Sequence, residues 1–126
     1  MAGMLDQART MRLYTMDAWV ADPAVLIDET TLRTALHAGA QAGRATVLGE
    51  AFCVFPNGAV TGVLVLAQSH LSLHTWPELA LANVDLLSYG DVRGDRVLGE
   101  IRARLGVERA AVTCVPRAVA QQSAVG

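Results

Sequence analysis

The stretch ATVLGEAFCVFPNGAVTGVLVLAQSHLSLHTW, residues 45–76, decides how this chain folds. Ala45–Phe55 and Ala59–Ala67 are short apolar runs, and Pro56-Asn57-Gly58 stands between them. Asn-Gly accepts positive φ at little cost, so the pattern predicts a hairpin. His70–Trp76 then alternates: Leu71, Leu73 and Thr75 point one way, His70, Ser72, His74 and Trp76 the other. Both histidines and the indole are expected on one face of one strand, where they can converge on a common pocket.

Upstream, Met11–Ala21 is rich in β-branched and aromatic residues and reads as a first strand ending at Asp22-Pro23. Asp28 before Glu29-Thr30-Thr31 is a suitable N-cap with an acidic first turn. Leu32, Ala35, Leu36, Gly39, Ala40 and Gly43 recur at helical spacing, predicting an amphipathic helix over 29–42 that stops at Gly43. Downstream, Ala80–Tyr89 reads as a strand and Gly90-Asp91 as a loop. Val92–Leu105 reads as a second helix with Val97, Leu98, Ile101 and Leu105 on its buried stripe, and Asp91, Arg93, Asp95 and Arg96 at its solvated start. Glu108–Pro116 is a last strand, and Ala118–Gly126 is expected to fray. The sum is an α+β fold, a two-layer sandwich of a mostly antiparallel sheet with two helices on one face. The other face needs a cover, and a partner protomer is the expected one.

With 126 residues the chain has room for a single core, so one domain over 1–126 is expected. Hydrophobic residues make up 52% but aromatic ones only 5%, so Val, Leu and Ala must build that core. Ten basic residues face twelve acidic ones without a basic cluster, which argues against a nucleic-acid partner. Apolar runs such as Val63–Ala67 fall far short of the ~20 residues that span a bilayer. Met1–Arg12 carries Asp6 and no apolar segment, so no secretory signal is read and a cytoplasmic location is expected. Cys53 and Cys114 lack metal-ligand spacing. No metal site is expected, and both thiols are read as small buried hydrophobes.

One block departs from this bland background. Residues 68–78 read Gln-Ser-His-Leu-Ser-Leu-His-Thr-Trp-Pro-Glu, and no sheet or helix requires two histidines, hydroxyls, an indole and a carboxylate so close together. Ser69 through Glu78, followed by Asp85 and Gly90, resembles the bacterial and archaeal S-adenosylmethionine decarboxylases. Ala45-Thr46-Val47, Phe55 and Thr61-Gly62-Val63 are similar to strands of the same family. The resemblance covers roughly residues 11–116 and is densest over 61–90.

That resemblance implies a pyruvoyl enzyme of polyamine synthesis that processes itself. The Ser69 hydroxyl would attack the carbonyl of Gln68, and elimination would then cut the backbone, giving chains 1–68 and 69–126. The cofactor implied is a pyruvoyl group made from Ser69, a ketone that forms a Schiff base with the substrate amine and serves as an electron sink. Thr61 corresponds to a family serine that hydrogen-bonds the oxyanion during cleavage. His74 corresponds to the base for that step, a role suited to its near-neutral pKa. Phe55, Trp76 and Glu78 correspond to nucleoside-pocket positions, and the family pocket lies at a homodimer interface with contributions from both protomers. The partner implied is a small-molecule amine.

The sequence departs from the family at four places. Gln68 replaces a glutamate, Thr10-Met11-Arg12-Leu13 lacks a Gly-x-His, and Leu79-Ala80-Leu81 replaces Tyr-Gly-Tyr. Tyr89 stands where the family carries the cysteine that reprotonates the product; a phenol has a reference pKa of ~10 against ~8.5 for a thiol. Relatives that decarboxylate ornithine or arginine, and a non-catalytic homologue, are the alternative readings these departures leave.

Overall fold

The computed structural model describes residues 11–117. The tail expected to fray at 118–126 and nearly all of the segment read for a signal lie outside these residues. The chain runs β1 (Met11–Val20), α1 (Glu29–Ala42), β2 (Val47–Val54), β3 (Val60–Leu66), β4 (Ser69–Trp76), β5 (Leu81–Tyr89), α2 (Gly94–Leu105) and β6 (Val107–Arg117). One six-stranded sheet results, in the order β2-β3-β4-β5-β1-β6. Every neighbouring pair is antiparallel.

Period-2 alternation divides the sheet into two unlike faces. Met16, Ala18, Val60, Leu64, Leu71, Leu73, Ala82, Val84 and Leu86 are buried on one of them. They pack with Leu32, Ala35, Leu36 and Ala40 of α1 and Val97, Leu98, Ile101 and Leu105 of α2 in a single core. The alternate residues of β4 and β5 include His70, Ser72, His74, Trp76, Asn83, Asp85 and Tyr89, and none of them is buried. Neither helix covers that second face, where Val65, Trp76 and Val115 remain exposed.

The local signals act as expected at α1, where Asp28 accepts hydrogen bonds from the Thr31 N–H at 3.2 Å and the Thr31 hydroxyl at 2.9 Å. Gly43 does end α1, but for its size: its φ is −93, and an added Cβ would lie 2.2 Å from Val97 and 2.7 Å from the Arg93 carbonyl. The left-handed residue is Arg44, at φ 63. The second helix begins at Gly94 rather than Val92, because Val92 and Arg93 remain in the connecting loop and Arg93 has extended ψ. Two short 3-10 turns, Pro23–Ile27 and Pro77–Leu79, escaped the periodicity because neither is long enough to show one.

The two cysteines do not join the core as expected. Both are exposed rather than buried. Cys53 lies on β2 and Cys114 on β6, the two edge strands, where each backbone has a neighbour on one side only.

Candidate active site

One cross-strand row carries most of the reactive groups. The pairing register sets Cys53 opposite Thr61, Thr61 opposite His74, His74 opposite Asn83, and Asn83 opposite Asp17. All five therefore occupy the open face of the sheet. The Thr61 hydroxyl and His74 Nδ1 are 2.6 Å apart. The imidazole meets Trp76 edge-on, with ring centroids 4.6 Å apart, and Phe55 edge-on at 5.9 Å. The Trp76 indole N–H donates to Asn83 Oδ1 at 2.6 Å, and Asn83 Nδ2 donates to Asp17 Oδ1 at 2.8 Å. Glu78 follows in the 3-10 turn at the same end of β4, and Ala80, left-handed at φ 52, returns the chain to β5. Phe55 and Trp76 are each 41% exposed, so their rings offer open apolar surface around the imidazole.

The Thr61–His74 contact constrains the chemistry. With the proton on Nδ1, the ring donates to Thr61. The threonine hydroxyl is then free to donate elsewhere, and Nε2 is free to accept a proton. That one tautomer gives an oxyanion donor and a base side by side.

A second group of residues sits at the other end of β4. Ala67 and Gln68 form the two-residue turn between β3 and β4, and Leu66 pairs with Ser69 across it. Gln68 has φ 64, a left-handed conformation that costs a non-glycine residue roughly 1–2 kcal/mol. The Ser69 hydroxyl, partly buried, donates to the Leu87 carbonyl of β5. Tyr89 ends β5 two residues further on, paired with Met11 of β1.

The proposed site residues thus form two clusters rather than one. Phe55, Thr61, His74 and Trp76 meet at one end of the open face, with Glu78 in the adjoining turn. Gln68, Ser69 and Tyr89 lie at the other end of the sheet, where Ser69 is in phase with Leu71 and Leu73 rather than with His74. Ser69 and His74 are five positions apart on one extended strand, about 16 Å at roughly 3.3 Å per residue. Asn83 and Asp17 were not identified from the sequence. Their signal was a polar residue recurring on the non-core set of an alternating strand, but only strand pairing brings Asp17 to a residue 66 positions away. Among the described residues, no three metal-type side chains come together.

The sequence model described as S-adenosylmethionine decarboxylase matches residues 12–118. An S-adenosylmethionine decarboxylase proenzyme of Prochlorococcus marinus is 36% identical over 103 residues, covering 81% of this chain and 82% of that protein. Proenzymes of the same name from Parasynechococcus marenigrum and a Hydrogenobaculum species are 42% and 40% identical, over 60% and 67% of this chain. The matched segments span only 59% and 63% of those two relatives' own lengths. In fold, the chain is similar to the crystal structure of the adenosylmethionine decarboxylase from Aquifex aeolicus, with a TM-score of 0.77 and 23% identity; the match covers 91% of this chain and 96% of that one. By sequence match along almost the whole described length, supported by the shared sheet, this chain belongs to the S-adenosylmethionine decarboxylase family.

Proposed function

We propose that this protein is a pyruvoyl-dependent carboxy-lyase that cleaves itself between Gln68 and Ser69 and decarboxylates S-adenosylmethionine for polyamine synthesis. The observation that carries the reading is the Thr61–His74 pair at 2.6 Å, flanked by the exposed rings of Phe55 and Trp76. The relatives are named proenzymes, which supports self-processing.

Ser69 suits the origin of a pyruvoyl group. It is the first residue of β4, directly after a strained turn, and its hydroxyl lies one residue from the Gln68 carbonyl. Scission there would release the left-handed conformation of Gln68, while Leu71 and Leu73 still anchor β4 in the core. Attack by the hydroxyl converts the Gln68–Ser69 amide to an ester, and the oxyanion formed on the way needs a donor, the role of Thr61. Removal of the Ser69 Cα proton then breaks the Cβ–Oγ bond and releases Gln68 as a carboxylate, with His74 as the base. The dehydroalanine left at position 69 would tautomerise to an imine, and water would hydrolyse it with loss of ammonia. The pyruvoyl group would then supply a ketone to hold the substrate amine and take up the electrons left by departing CO₂. Phe55 and Trp76 offer their faces to the nucleoside, Glu78 offers its carboxylate to ribose hydroxyls, and Tyr89 takes the place of the product's proton donor.

A span of about 16 Å prevents His74 from reaching Ser69 of its own strand. The Ser69 side chain is in phase with Leu71 and Leu73, so what two open faces packed about a twofold axis would bring together is the Gln68–Ser69 turn at the start of β4 in one protomer and the end of β4 in its partner. The exposed Val65, Trp76 and Val115 are apolar groups that such packing would cover. We therefore read the working unit as a cytoplasmic homodimer in which each Ser69 is served by Thr61 and His74 of the partner protomer.

Intact-mass spectrometry of the purified protein tests the processing. Fragments 1–68 and 69–126 are expected, the second reacting with a carbonyl probe, and Ser69→Ala should leave one full-length chain. CO₂ release is expected with S-adenosylmethionine and not with ornithine or arginine. A chain that stays whole and unreactive toward hydroxylamine overturns the enzyme reading. Release from ornithine or arginine alone overturns the substrate.

A further inference from the structure

A cavity of about 490 Å³ lies on the helix side of the sheet, away from the Thr61–His74 cluster, and three arginines line it. They come from distant parts of the sequence: Arg12 from the start of β1, Arg44 from the turn after α1, and Arg93 from the loop before α2. Tyr14, Ser88 and Asp91 complete the wall that matters here. The ion pairs among the described residues use Arg33 and Arg104, and His37 lies 3.6 Å from Glu50; Arg12, Arg44 and Arg93 make none. Two carboxylates are close enough to count, Asp91 in the lining and Asp95 in the first turn of α2. Burial, followed by the neighbouring Cys114, pushes the Tyr14 phenol above its ordinary range, so it adds no negative charge near neutrality.

The cavity opens at the N-terminus of α2, the positive end of the helix dipole. Arg93 occupies the cap position there and supplies no side-chain acceptor. The N–H groups of Gly94 and Asp95 consequently have no acceptor among the described residues. Gly94 is essential to this geometry, because an added Cβ would stand 2.2 Å from the Tyr14 ring. Two of the arginines also sit where local rules oppose them. Arg44 holds φ 63, which glycine would adopt without cost. Arg93 puts a cation where Ser, Asp or Asn would cap and stabilise the helix. Three exposed arginines thus line one cavity at a positive helix end, an arrangement that a bound anion would complement.

We propose that this cavity is an oxyanion site that takes a phosphate-bearing small molecule, held by Arg12, Arg44, Arg93 and the first turn of α2. Its volume exceeds what one phosphate needs, leaving room for the group the phosphate is attached to. The site backs onto the open face through consecutive residues of β5. Ser88 faces the cavity and donates to the Val92 carbonyl at 3.1 Å, while Tyr89 faces the other way.

The test is calorimetric titration of the full chain at fixed ionic strength with inorganic phosphate, inorganic triphosphate and a nucleoside triphosphate. The variants are Arg44→Gly and Arg93→Ser. Both should fold at least as well as the parent, since one relieves a left-handed residue and the other supplies a cap, and thermal melts check this. The expected result is saturable binding by the parent, weakened at least tenfold in each variant with no fall in melting temperature. Preference for the nucleotide over inorganic triphosphate would identify an organic phosphate, and equal binding would identify the phosphate group alone. No saturable heat with any of the three ligands overturns the proposal. So does binding within twofold of the parent in either variant, or an equal response to sodium chloride.

Discussion

Asp17 holds Asn83 in a single amide orientation. Asn83 Nδ2 donates to the carboxylate at 2.8 Å, which turns Oδ1 toward the Trp76 indole N–H at 2.6 Å. The carboxylate can only accept, so the amide cannot flip without losing both bonds. This relay fixes the ring that meets His74 edge-on.

Replacing Asn83 with Ala should therefore loosen Trp76 without disturbing the core. One lost hydrogen bond of about 1 kcal/mol predicts roughly a fivefold rise in KM for S-adenosylmethionine, with a smaller change in kcat. Indole anisotropy, measured in a Trp19→Phe background to isolate Trp76, should fall. An unchanged KM together with an unchanged anisotropy would remove the relay from the site.

Separation of Ser69 from His74 predicts complementation. Ser69→Ala and His74→Ala should each stay uncleaved alone. After co-expression or subunit exchange, the His74→Ala chain keeps its own Ser69 and can borrow His74 from the partner. Mass spectrometry should then find cleavage in that chain only. A mixture that stays as inert as its components would show that the two residues act within one protomer, after a rearrangement of β4.

Thr75 is a fully buried polar residue that ties the Pro23–Ile27 turn to the sheet. Its hydroxyl donates to the Leu26 carbonyl at 2.8 Å and accepts from the Val60 N–H at 2.8 Å, tying β3, β4 and the Pro23–Ile27 turn together. Thr75→Val keeps the shape and orphans both backbone groups, a loss of about 2–4 kcal/mol. Thr75→Ser should recover most of it. Denaturant midpoints of the three proteins provide the check, and parity between the valine variant and the parent would contradict it.

Asp28 gives a pH signature. Hydrogen bonds from the Thr31 N–H and hydroxyl hold its carboxyl below the ordinary range. The cap's ionic contribution is complete above the unfolded value of about 3.9 and disappears as pH falls through the lower folded value. Asp28→Asn retains a capping oxygen without the charge. The parent's advantage in melting temperature should be constant near neutrality and vanish in acid, whereas a gap independent of pH would exclude the ionised cap.

Much of this architecture was legible from periodicity and turn chemistry. Asn57-Gly58 announced the hairpin, Asp28 the start of α1, and the alternation through His70–Trp76 the division between core and open face. These are local rules, decided within a few residues by sterics and by which side chains avoid water. Burial of the cysteines was misjudged for the opposite reason: strand order, which no local rule contains, placed both at sheet edges.

From the sequence alone come the elements, the face on which the histidines stand, and the serine-to-glutamate block that marks the family. Tertiary structure decided which residues meet. It set Asn83 and Asp17 beside Trp76, parted Ser69 from His74 along one extended strand, and gathered Arg12, Arg44 and Arg93 around one cavity. Side-chain direction follows from neighbours along the chain, whereas proximity across a sheet depends on register and strand order, which the whole core sets at once.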